Sequence, residues 1–143
     1  MEVDLAMVGK AREGGCGATQ ALGNDKQKLN LLRAFRDGVL MKTDFGARYV
    51  SLYYRHSPEV VALLKNDPAL QEEVKGCIIR ALPVLTAMMA QGTNANVTEA
   101  QLREMAACIE KIQARGSAAL QKDLGQLLKG LNDRSVFQKI GIK

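Results

Sequence analysis

Apolar residues recur at three- and four-residue steps through most of the chain beyond Asp25, the period of one buried face on an α-helix. Leu29, Leu32, Phe35 and Val39 share a face that Leu31 and Leu40 widen, while Lys28, Arg33, Arg36 and Asp37 mostly ring the remainder. The spacing predicts a helix over about 26–42, opened by Asn24 or Asp25, whose side-chain oxygen accepts from the orphan N–H groups of the first turn. Thr43 and Asp44 offer the next cap, and Phe45, Tyr49, Leu52 and Tyr53 or His56 continue the helical period. Ser57-Pro58-Glu59 then reads as a fresh start: a capping hydroxyl, a proline at the first helical position and an acid in the first turn. It predicts a short helix to about 66, with Val60, Val61 and Leu64 inward and His56 as a solvated neighbour of the cap.

Asp67-Pro68 repeats that restart and opens the widest apolar face: Leu70, Val74, Cys77, Ile78, Ala81, Leu82, Leu85, Met88 and Met89. Pro83 inside it removes one backbone hydrogen bond and predicts a kink or break near Ile79 or Arg80. "QGTNANVT" reads as a loop. Thr98 with Gln101 spells a capping box, opening a helix through Leu102, Met105, Ala106, Ile109 and Ile112 that ends near Gly116. A last helix carries Leu120, Leu124, Leu127, Leu128 and Leu131, and "SVFQKIGIK" is a docked or frayed tail. No stretch sustains two-residue alternation, so the fold class is all-α: a single compact helical bundle of five to seven helices. Its expected organisation is a flexible, Gly-containing segment 1–24, a helical region 25–92, and a C-terminal hairpin 93–143 packed on it.

Composition agrees with that picture. Apolar residues are 47% and charged residues 24% of 143 positions, globular proportions, while aromatics are 4% and Trp is absent, so the core is aliphatic. The first fifteen residues lack the basic start and apolar run of a secretory signal, and no apolar run reaches spanning length. A cytoplasmic protein is the expectation. Three cysteines, Cys16, Cys77 and Cys108, form no close pair, which predicts reduced thiols rather than a disulfide framework or a CxxC site. The net charge of +5 is uneven along the chain, a mild polarity without a basic run.

Residues from Cys16 to about Ala90 carry three consecutive motifs: "CGATQALG", "LLRAFRDGVL" and "GARYVSLYYRHSP". They resemble the bacterial CFI-box C-terminal domain, with its "CFIATAAYG"-like opening, "LRxFRDxxL" helix and "GRxFVxxYYRxSP" segment, and "IIRALPVLTAMMA" is similar to its following proline-bearing segment. The family's Phe-Ile pair after the cysteine is replaced here by the single Gly17, and its Tyr-Gly by Leu22-Gly23, so the segment around Cys16 is expected to be held less firmly. The resemblance implies a bacterial origin and a module usually appended to other domains, and it implies no catalytic activity.

Candidate chemistry is sparse. Cys16 and His56 are the pair able to serve as thiol nucleophile and base, since thiolate does the chemistry and imidazole favours it; the competing reading makes Cys16 a small buried residue. A zinc set of Cys16, His56, Cys77 and Cys108 lacks any short ligand spacing, so no metal or other cofactor is expected. Arg33, Arg36, Arg48 and Arg55, with Tyr49, Tyr53 and Tyr54, offer forked donors and stacking platforms for an anion or single-stranded nucleic acid, against structural ion pairs and core tyrosines. Met88, Met89, Leu85 and Ile78 are candidates for core or for self-association. The preferred reading is a non-catalytic interaction or assembly module with a protein partner or a second copy. A thiol-dependent enzyme or self-processing module using Cys16 with His56, and anion or nucleic-acid binding, stand as alternatives.

Overall fold

The computed structural model describes residues 17–23 and 25–142. They form an all-α bundle of seven helices with no strand among the described residues: α1 (Gly17–Leu22), α2 (Lys26–Gly38), α3 (Asp44–Asn66), α4 (Pro68–Gln91), α5 (Glu99–Gln113), α6 (Ala118–Asn132) and α7 (Ser135–Lys139). Caps fall where short polar side chains lead an apolar period. The Asp25 carboxylate accepts from Lys28 N at 3.2 Å, Thr43 Oγ1 from Gly46 N at 2.9 Å, and Asp67 from Leu70 N at 3.1 Å. Thr98 and Gln101 complete the capping box reciprocally, at 3.1 and 3.0 Å.

Three boundaries differ from the sequence reading. Helix α2 stops at Gly38, and Leu40–Lys42 tightens into a 3-10 turn. The restart at Ser57 is absent: α3 runs unbroken through Pro58. Pro58 removes the N–H that would reach the Tyr54 carbonyl, but Val50, Tyr54, Ser57 and Leu64 are buried along one continuous line, and the Ser57 hydroxyl turns back to Tyr53 O at 2.8 Å. Packing of both halves in one register outweighs the proline's cost of about 3 kcal/mol. Helix α4 likewise stays continuous across Pro83, so of the kink or break expected near Ile79 or Arg80 no break is found.

Part of the segment read as flexible, Gly17–Leu22, is helix α1, with Ala21 and Leu22 buried. Its glycine serves close approach: a Cβ on Gly17 would lie 2.9 Å from Val60 Cγ1, so α1 sits directly on α3. Helix α2 packs chiefly on α4. Helices α5 and α6 form the antiparallel hairpin, and α5 lies along α4.

The bundle has two apolar centres. Ala21, Leu64, Leu70 and Val74 gather near the α3–α4 turn, with Ile112 against them. At the other end Val84, Met88, Val97, Leu102 and Leu131 meet the tail, which is docked: Phe137, Ile140 and Ile142 are buried there. Met88 belongs to this core rather than to a surface patch. Arg134 holds the turn into α7, donating to Val97 O at 2.8 Å and to Glu99 at 3.2 Å.

The expectation of three reduced thiols is overturned. Cys77 on α4 and Cys108 on α5 are joined by a disulfide, Cα to Cα 5.9 Å. Sequence spacing gave no sign of it because the pairing depends on how α5 lies along α4: Asp67–Arg115, Glu73–Lys111 and Cys77–Cys108 succeed one another down one antiparallel seam. Among the described residues no helix is long and apolar enough to cross a membrane.

Candidate functional site

Two places on the surface collect polar chemistry. The first is a seam between α3 and α6. His56, expected as a cap neighbour, instead lies inside the continuous α3, and its Nε2–H donates to Asp123 Oδ2 at 2.7 Å; both side chains are largely buried. A carboxylate only accepts, so Nε2 carries a proton here. One turn along, Glu59 does not serve the start of its own helix. Its carboxylate accepts from Ser117 N at 2.6 Å and from the Ser117 hydroxyl at 2.8 Å. Ser117 Oγ in turn accepts from Leu120 N at 3.3 Å, so Glu59 and Ser117 together cap α6. The Ser117 backbone N–H holds the Glu59 carboxyl below its ordinary value, with the Ser117 hydroxyl and the charge of His56 adding to it against the opposing effect of burial.

The second is an open groove where the start of α3 meets the end of α6 and α7. Phe45 and Tyr49 supply an apolar wall, with ring centroids 5.0 Å apart and edge to face. Lys129, Asp133 and Lys139 line the other side. The Lys139 ammonium sits 4.8 Å from the Phe45 ring centroid, a cation–π contact. Burial, and then the charge of Asp133, push the Tyr49 hydroxyl up, so it stays protonated. Asp133 Oδ1 accepts from Ser135 N at 2.9 Å, fixing the turn that brings Lys139 round. Gly130 leaves no room for a Cβ beside Val136, so α7 presses straight onto α6 here. Met41, in the 3-10 turn ahead of Phe45, is 36% exposed.

The residues singled out from sequence are dispersed. Cys16 lies outside the described residues, so its distance from His56 is not part of this structure. The helix that begins beside it is tied to the His56 region, however: Ala18 N donates to Tyr53 OH at 2.9 Å, and Gly17 meets Val60, residues one turn before and one turn after His56. Cys77 and Cys108 bond to each other, and no cluster of three or more metal-ligating side chains occurs among the described residues. Arg36 pairs with Asp37 at 2.8 Å and donates to Tyr54 OH at 2.7 Å, while Arg33 donates to Asn30 at 3.1 Å. Arg48 and Arg55 are exposed on α3. Tyr54 is 5% exposed and Tyr53 41%. Helix α2 packs chiefly on α4, and the Arg36–Tyr54 hydrogen bond ties it to α3.

Asp123, Glu59–Ser117 and the Phe45/Lys139 groove escaped the sequence reading. The signals present were a lone acid on a leucine-rich helix and a serine after "ARG", and both need the α3–α6 packing to acquire meaning. No family model, curated protein or solved structure matches the chain. The likeness to the CFI-box domain therefore rests on its motifs alone.

Proposed function

We propose that the chain is a helical interaction module that docks a protein partner in the groove of Phe45, Tyr49, Lys129 and Lys139. The carrying observation is the groove's makeup. Two aromatic rings stand beside two lysines in an open cleft built by both halves of the bundle. Such a surface suits an amphipathic segment that offers one apolar side chain to the rings and acids to the ammonium groups. The appended occurrence of the family that the motifs resemble favours the same reading. Light scattering with co-purification tests it. A defined complex should form with the native chain and weaken at least tenfold when Lys129→Glu and Lys139→Glu are combined; a strict monomer that retains no protein would count against it.

A second reading is favoured by the His56–Asp123 pair. A base held by a carboxylate, on the helix that carries the start of α1, supports thiol chemistry at Cys16. Alkylation of Cys16 followed against pH distinguishes the two. Faster reaction than a free peptide thiol, slowed by His56→Gln and by Asp123→Asn, would support this reading, and a rate equal to the peptide's would end it.

A further inference from the structure

The disulfide between α4 and α5 differs at its two ends. Cys77 is a buried residue, 6% exposed, whereas Cys108 is half-buried on α5. Arg80, one turn beyond Cys77 on α4, folds back so that Nη2 lies 3.5 Å from Cys77 Sγ. The guanidinium passes close to Gly76, where a Cβ would lie 3.1 Å from Arg80 Nη1. The other charged residues within about one turn of either cysteine are Glu73, Lys75, Glu104, Glu110 and Lys111, of which Lys75 is half-buried and Glu110 exposed. Glu73 and Lys111 are paired with each other at 3.3 Å, and Glu104 is exposed. Arg80 has no carboxylate partner among the described residues, so its nearest charge partner would be a thiolate at Cys77.

We propose that Cys77–Cys108 is a thiol–disulfide exchange site, attacked at Cys108 by a low-molecular-weight thiol and releasing Cys77 as the leaving group beneath Arg80. The incoming thiol gives its proton to solvent, and its sulfur bonds to Cys108 Sγ as the Cys77–Cys108 bond breaks. The bonding pair departs on Cys77 as a thiolate beside the guanidinium. The products are a mixed disulfide on Cys108 and one thiolate, with no net oxidation. Return of Cys77 onto Cys108 expels the thiol and restores the bridge; attack by a second thiol on the mixed disulfide completes reduction of the pair and releases the small disulfide. Exchange rate depends on which sulfur is accessible and on how well the leaving thiolate is stabilised, and this site separates those two roles between its ends.

The test uses the folded, oxidised chain with Cys16→Ser, so that the bridge alone reports. After brief incubation with glutathione and an acid quench, free thiols are alkylated and the peptides weighed. The expected result is glutathione on Cys108 and the alkyl group on Cys77 in clear excess. Arg80→Met should slow exchange about threefold to fivefold, and Arg80→Lys should recover much of the rate. In a Cys108→Ser chain the pH midpoint of Cys77 alkylation should rise when Arg80 is removed, a readout that a purely mechanical staple would not move. Glutathione divided evenly between the two sulfurs, no exchange without denaturant, or a rate indifferent to Arg80 would each overturn the proposal. The mapping on the native bridge holds even if the Cys108→Ser chain fails to fold.

Discussion

Glu59 shows how one side chain changes meaning between sequence and structure. After Pro58 it reads as the acid of a first helical turn, yet it reaches across to Ser117 and caps a helix more than fifty residues away. Because those hydrogen bonds lower its pKa in the folded chain, the stability it confers is present above the ordinary glutamate range and is lost as pH falls through the lowered value. Glu59→Gln should therefore flatten the acid limb of the stability–pH curve below roughly pH 4.5, as read by urea unfolding at a series of pH values. Asp25 and Asp133, lowered by contacts to Lys28 and Ser135, keep a residual acid dependence in that variant. An unchanged curve would show that the Glu59–Ser117 contact does not form in solution. His56 is parallel: its type marked it for attention, but Asp123, its partner 67 residues on, became visible only when α3 and α6 were packed together.

At the scale of elements, what was legible was local. The cap–period–cap grammar placed the starts of α2, α3, α4 and α5 because Asp25, Thr43, Asp67 and Thr98 bond within their own first turns. It failed at Pro58, and no break follows Pro83, because the local cost of a proline was overridden by burial along a continuous face, a tertiary quantity. Glycines divide in the same way. Gly46, in the "GARYVS" motif, has no room for a Cβ because the Leu40 backbone occupies that place, so the 3-10 turn can close onto α3 only at a glycine. Gly38 has open space around its Cβ position. Gly46→Ala should cost about 2 kcal/mol or more, since neither backbone segment can yield cheaply, while Gly38→Ala should be neutral or stabilising by up to about 1 kcal/mol. Thermal or denaturant midpoints of the two variants measure this contrast, and equal effects would place the 3-10 turn elsewhere.

For the whole molecule, sequence pattern sufficed for the all-α class. The long-range ties that assemble the halves were not legible: the disulfide, the His56–Asp123 pair and the Glu59–Ser117 cap. Each depends on a three-dimensional register that one chain of apolar stripes does not encode visibly. The disulfide closes a loop with a sequence separation of 31, so its reduction should lower the unfolding free energy by about 3–4 kcal/mol if loop entropy in the unfolded chain dominates. Matched urea melts of the oxidised and reduced chains read that difference.

The groove draws Phe45 and Tyr49 from one half and Lys129 and Lys139 from the other, so it exists only in the assembled bundle. A photo-crosslinking residue placed at Tyr49, compared with one at the exposed Glu72 on α4, tests this docking surface most directly. The account predicts a defined protein adduct from position 49 and none from position 72. Equal adducts from both positions, or an adduct from 72 alone, would contradict it.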